Sequence, residues 1–64
     1  MSVSERYTKA GVEATVIGPR GHARVVPNKD RFGFTVWVVY HEQTHEAEGY
    51  YQAVELAKKL VEGS

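Results

Sequence analysis

The sequence predicts an α+β domain, a three- to four-stranded antiparallel sheet with one C-terminal helix packed on one face. Three observations carry that expectation. Phe32 to His41 is the longest apolar run, and it repeats with a period of two in β-branched and aromatic residues, the pattern of a strand with one buried face. From Tyr50 onward the apolar residues recur instead with a period of 3.6, which marks an amphipathic helix. Upstream, Gly18-Pro19-Arg20-Gly21 and the polar stretch after Pro27 interrupt two short apolar segments, as the turns of an antiparallel sheet do.

The elements follow in order. Met1 to Gly11 is polar and aperiodic, so residues 1–11 are expected to be a flexible N-terminal segment and residues 12–64 the single domain. Val12 to Ile17 alternates, with Val12, Ala14 and Val16 on one side and Glu13 and Thr15 on the other. This reads as a short strand. His22 to Val26 reads as a second strand, which Pro27 is expected to end because proline has no amide proton to donate. Asn28-Lys29-Asp30-Arg31 then makes a short loop into the central strand, so those two strands form a hairpin. A short edge strand is expected over Thr44 to Ala47. On the helix, Tyr50, Ala53, Val54, Ala57, Leu60 and Val61 share one arc. Lys58 and Lys59 suit the negative end of the dipole, and Gly63 suits a terminator.

Length and composition restrict the function. A chain of 64 residues without cysteine has neither a disulfide nor a thiolate metal site to reinforce a small core. Met1 to Lys9 lacks an apolar core, and no run approaches the roughly 20 apolar residues of a span. No membrane contact is expected, and the cytoplasm is the expected location. Net charge is zero, yet residues 1–31 carry six cations against three anions while residues 32–64 carry two against five. A basic half and an acidic half can orient an encounter, whereas overall neutrality disfavours general binding to nucleic acid.

Within the central strand the even positions Phe32, Phe34, Val36, Val38 and Tyr40 are all apolar, and the odd positions are mixed. The even side is therefore expected under the helix. With a single helix available, the odd side would stay open, exposing Trp37 and Val39 beside Thr35 and Arg24. An exposed tryptophan on a polar sheet marks a contact surface. The expected function is thus a non-enzymatic protein-interaction module or small inhibitor-like protein. Its partner is another protein or a second copy of itself as a homodimer. The alternative is a nucleic-acid-binding domain that lays Arg20, Arg24, Lys29 and Arg31 against phosphates.

Catalytic patterns are sparse. There is no Gly-rich phosphate loop and no cysteine nucleophile, and Ser2, Ser4 and Ser64 lie at the ends, so no enzyme activity and no cofactor are expected. His41-Glu42-Gln43-Thr44-His45 matches the H-E-x-x-H pattern of zinc peptidases. That resemblance implies His41 and His45 as zinc ligands and Glu42 as general base, all on one helix. The segment instead leaves the most strand-like run of the chain, so no metal site is assigned.

Val25-Val26-Pro27-Asn28, Gly33-Phe34-Thr35-Val36 and the helix Gln52 to Leu60 resemble a family of small bacterial domains of unknown function. Its pattern runs V-V-P-x, G-W-x-V, then E-A before an alanine-leucine helix. The resemblance covers Ala23 to Val61 and departs at Phe34, where tryptophan is usual, at Gly49, where a Ser or Thr cap is usual, and at Trp37, where a polar residue is usual. The order of elements is also similar to HicB-type antitoxin domains and to integrase arm-type DNA-binding domains.

Overall fold

Four tight reversals lay five strands side by side in the order in which they occur. In the computed structural model, which describes residues 1–63, these are β1 (Ser2–Thr8), β2 (Gly11–Gly18), β3 (Gly21–Lys29), β4 (Thr35–Tyr40) and β5 (Thr44–Ala47), followed by α1 (Tyr50–Glu62). All neighbours are antiparallel in the order β1-β2-β3-β4-β5. The expected domain end at Ser64 lies outside the described residues. Among the described residues no helix is long and apolar enough to cross a membrane.

The sheet has one strand more than the largest number expected, and that strand is β1, formed by residues read as a flexible segment. Its exposed side chains give no hydrophobic pattern. What forms the strand is the hairpin to β2, closed over Lys9 and Ala10. There Thr8 Oγ1 donates to the Gly11 carbonyl at 2.9 Å and accepts from the Ala10 amide at 3.2 Å. A strand specified by backbone pairing alone leaves no apolar period to read. Pro27 also acts differently from expectation. The β2–β3 ladder stops at Ala14↔Val25, but the β3–β4 ladder continues through Pro27↔Trp37 to Lys29↔Thr35. Proline ends one ladder rather than the strand.

Beneath α1 lies a core of small residues. Ala53, Ala57 and Val61, spaced one helical turn apart, meet Ala14 and Val16 of β2, Ala23 and Val25 of β3 and Val39 of β4. Alanines on both sides let the helix axis approach the sheet closely, and Tyr50, Val54, Leu56 and Leu60 close the margins. The helix end is fastened to the β2–β3 turn. The Arg20 amide donates to the Val61 carbonyl at 2.8 Å, and Gly63, at φ 78°, returns its amide to the Lys59 carbonyl at 3.1 Å. Gly18 sits so close below that a β-carbon there would stand 2.8 Å from Val61 Cγ2 and 3.0 Å from its carbonyl oxygen. Only glycine admits that approach without displacing the helix.

Candidate interaction surface

The two sides of the sheet follow from register. Val16↔Ala23, Ala14↔Val25 and Val25↔Val39 align the buried residues of β2, β3 and β4 in rows. Because side chains alternate, Val39 and Trp37 stand on that same side, under the helix. The expectation that Trp37 and Val39 face solvent is therefore corrected. Val39 is fully buried, and Trp37 packs against the core with its ring centroid 5.0 Å from that of Tyr50 at an interplanar angle of 62°. That edge-to-face contact is a favourable aromatic geometry. Thr35 shares the parity of Trp37 but lies exposed at the start of β4.

The reason for the reversal is local. Phe32 and Phe34, which made the even side look richer, are not in the strand. Asp30 Oδ1 accepts from the amides of Phe32 at 2.9 Å and Phe34 at 3.0 Å, the Asp30 amide donates to the Phe34 carbonyl, and Gly33 turns at φ 85°. An Asx-type loop thus takes both aromatics out of the sheet. Within Thr35–Tyr40 the two sides of β4 are then nearly equal in apolar content. The small apolar residues of β2 and β3 decide which side the helix covers.

The uncovered side consequently carries Val36, Val38 and Tyr40 of β4 with Val26 of β3. Val26 pairs directly with Val38. Val38 is only 4% exposed although it does not belong to the cluster under the helix, so its own row of neighbours shields it. Tyr40 remains 45% exposed, and beyond the strand end Phe34 and Phe32 are 70% and 76% exposed. Charged groups flank this apolar row unevenly. Toward β1, the Glu13 carboxylate lies 3.2 Å from Arg24 and 3.9 Å from Arg6. Toward the other edge, Glu46 pairs in register with Val38.

Arg24 thus does lie on the open side, held by Glu13, but the four basic residues proposed for nucleic acid do not converge. Arg20 is in the turn before β3 and fits against Gly63 at the helix end. Lys29 closes the opposite end of that strand and Arg31 lies in the loop beyond it, with the Arg31 guanidinium 5.9 Å from the Phe32 ring centroid. Nine extended residues separate the two groups by roughly 30 Å. His41 and His45 occupy the β4–β5 turn and β5, not adjacent turns of a helix. His41 Nε2 donates to the Arg20 carbonyl at 3.1 Å, which ties the two turns together. Among the described residues no group of three or more His, Asp or Glu is arranged to hold a metal ion.

One polar contact ties β1 to the helix. Tyr50 Oη donates to Glu5 Oε2 at 2.6 Å, and burial first, then the Glu5 carboxylate, pushes the phenol up to about 12. The residues of the open side that the sequence reading missed, Val26 above all, had a signal in the turns. Gly18↔Gly21 sets the β2–β3 register and Asp30 to Phe34 sets that of β3–β4. Comparison with protein-family models, with curated proteins and with solved structures finds no match to this chain.

Proposed function

We propose that this chain is a non-enzymatic interaction module that binds a protein surface through the uncovered side of its sheet. A single observation carries the reading: on the side opposite the helix, half-buried Val26 and Val36 and exposed Tyr40 surround the buried Val38 in one apolar row. A row of that kind, rimmed by Arg24, Glu13 and Glu46, has the apolar centre and polar rim of a contact surface. Tyr40 supplies an aromatic that is apolar along its ring and polar at its tip, a combination common at such centres.

The test compares two tyrosine variants as bait in an extract of the native host. Tyr40→Glu changes the open side, and Tyr51→Glu changes the exposed outer surface of the helix. The expected result is that the wild type and Tyr51→Glu retain the same protein and that Tyr40→Glu loses it. Equal retention by all three would overturn the proposal. So would tight, steeply salt-dependent binding of labelled duplex DNA that Tyr40→Glu leaves unchanged.

A further inference from the structure

We infer that the outer edge of β1 pairs antiparallel with the same edge of a second copy of this chain, about a two-fold axis normal to the sheet at Ser4. This edge is separate from the open side of the sheet. β1 runs in unbroken register against β2 from Ser2 to Thr8, and among the described residues nothing pairs with its other edge. The hairpin decides which backbone groups face outward. Thr8 and Gly11 enclose a two-residue turn, so they bond each other, and bonding to β2 then alternates through Arg6, Ser4 and Ser2. The amides and carbonyls of Val3, Glu5 and Tyr7 are left pointing away from the sheet. Sheet edges are commonly blunted by a proline, a bulge, a covering helix or a very short strand. β1 holds no proline and no bulge, and α1 lies over β2 to β5 but not over β1. The opposite edge belongs to β5, which is only four residues long.

Charge and parity select the register. A two-fold axis normal to the sheet keeps both helices on one side, so residues of like parity oppose each other and one residue meets its own counterpart. Centred on Glu5, the axis sets two carboxylates directly opposite. Centred on Arg6, it does the same with two guanidinium groups, and directly opposed like charges destabilise a sheet. Centres nearer either end overlap fewer residues. Centred on Ser4, hydroxyl meets hydroxyl, Val3 and Glu5 of the two copies exchange backbone hydrogen bonds, and Ser2 lies opposite Arg6. Tyr7 then lies opposite Met1 of the other copy. These two side chains, 83% and 58% exposed, cover each other, and a methionine sulfur beside an aromatic ring is a favourable contact. The Glu5 carboxylate is drawn inward to the Tyr50 hydroxyl at 2.6 Å, which leaves its backbone free to pair. The two Arg6 residues stand about 14 Å apart along the strands, beyond the screening length at physiological salt. An edge of seven residues is about 24 Å long and buries roughly 700 Å² in total, the size of a weak, transient dimer.

Single cysteines read the register directly, since the chain has none of its own. In a glutathione redox buffer Ser4→Cys should form a disulfide-linked dimer about tenfold faster than Glu5→Cys or Arg6→Cys, because only at Ser4 do opposed Cα atoms come within about 4.5 Å. Sedimentation equilibrium should show the wild type passing from one chain to two at about 0.1–1 mM. Val3→Pro removes an outward amide and leaves the β1–β2 bonds in place, so it should stay folded by circular dichroism and monomeric throughout. Tyr40→Glu, on the open side, should leave the dimer intact, so the two surfaces are tested apart. A wild type that stays monomeric at several millimolar overturns the inference. So does cross-linking that is equal at the three positions or fastest at Glu5→Cys or Arg6→Cys, and so does a dimer that a folded Val3→Pro retains. If Val3→Pro fails to fold, the cysteine rates decide alone.

Discussion

Replacing Trp37 by serine removes the largest side chain that packs between the helix start and the sheet. The ring contacts the core cluster and stands edge-to-face with Tyr50 at 5.0 Å. A fully buried aromatic truncated to a small residue costs about 3–5 kcal/mol. Trp37 is half-buried, so we take about 2–3 kcal/mol, including the aromatic pair. In a domain of this size each kcal/mol lowers the melting temperature by about 4–8 °C, so the midpoint should fall by roughly 10–20 °C. Val36→Ser is the matched control on the open side, where the side chain is half-buried without a helix above it. It should cost about 1 kcal/mol or less. Thermal unfolding followed by far-ultraviolet circular dichroism reads both at a concentration where the chain is monomeric. A nearly unchanged Trp37→Ser beside an unfolded Val36→Ser would refute the reasoning, since it would put the helix on the opposite side of the sheet.

Gly18→Ala should destabilise by about 1–3 kcal/mol, because the added carbon would meet Val61 at 2.8 Å from Cγ2 and 3.0 Å from the carbonyl oxygen; the denaturant midpoint measures it. The Tyr50 phenol, raised to about 12, gives stability that is complete below about pH 10 and declines as pH rises toward 12, since the folded state holds the proton longer than the unfolded one. Ultraviolet titration of the phenolates should therefore lose its highest step in Tyr50→Phe, and the alkaline decline in stability should flatten in the same variant. Zinc added to the chain should leave the melting temperature unchanged in both the wild type and His45→Ala, because His41 and His45 lie on a turn and a strand; a rise confined to the wild type would restore the zinc reading.

The helix was readable to its ends. Its apolar arc over Tyr50 to Val61 is long enough for the period to stand out, and its buried residues Ala53, Ala57 and Val61 lie on that arc. The edge strand Thr44–Ala47 was also readable. Two things were not. Strand β1 is specified by a two-residue hairpin and backbone pairing, neither of which leaves a hydrophobic pattern. The choice of side in β4 depends on how its neighbours align with it, and alternation within one strand carries no information on that. Counting Phe32 and Phe34 with the strand tipped the balance to the wrong side. Asp30 and Gly33, an Asx residue and a glycine with positive φ, were the signs that those aromatics belong to a loop. With the loop placed there, Val25 aligns with Val39, and Trp37 passes under the helix together with it.

The proposed function requires that Val26, Val36, Val38 and Tyr40 stand on the side without the helix. The most direct measurement is the set of nuclear Overhauser contacts from the sheet methyl groups to the helix in the monomer. The structure predicts contacts from Val25 and Val39 to Ala53 or Ala57, and from the Trp37 indole to the Tyr50 ring, with none from Val26 or Val38 to any residue of the helix. Contacts from Val36 or Val38 to Ala53, Ala57 or Val61 would contradict it and would remove the apolar surface on which the function rests.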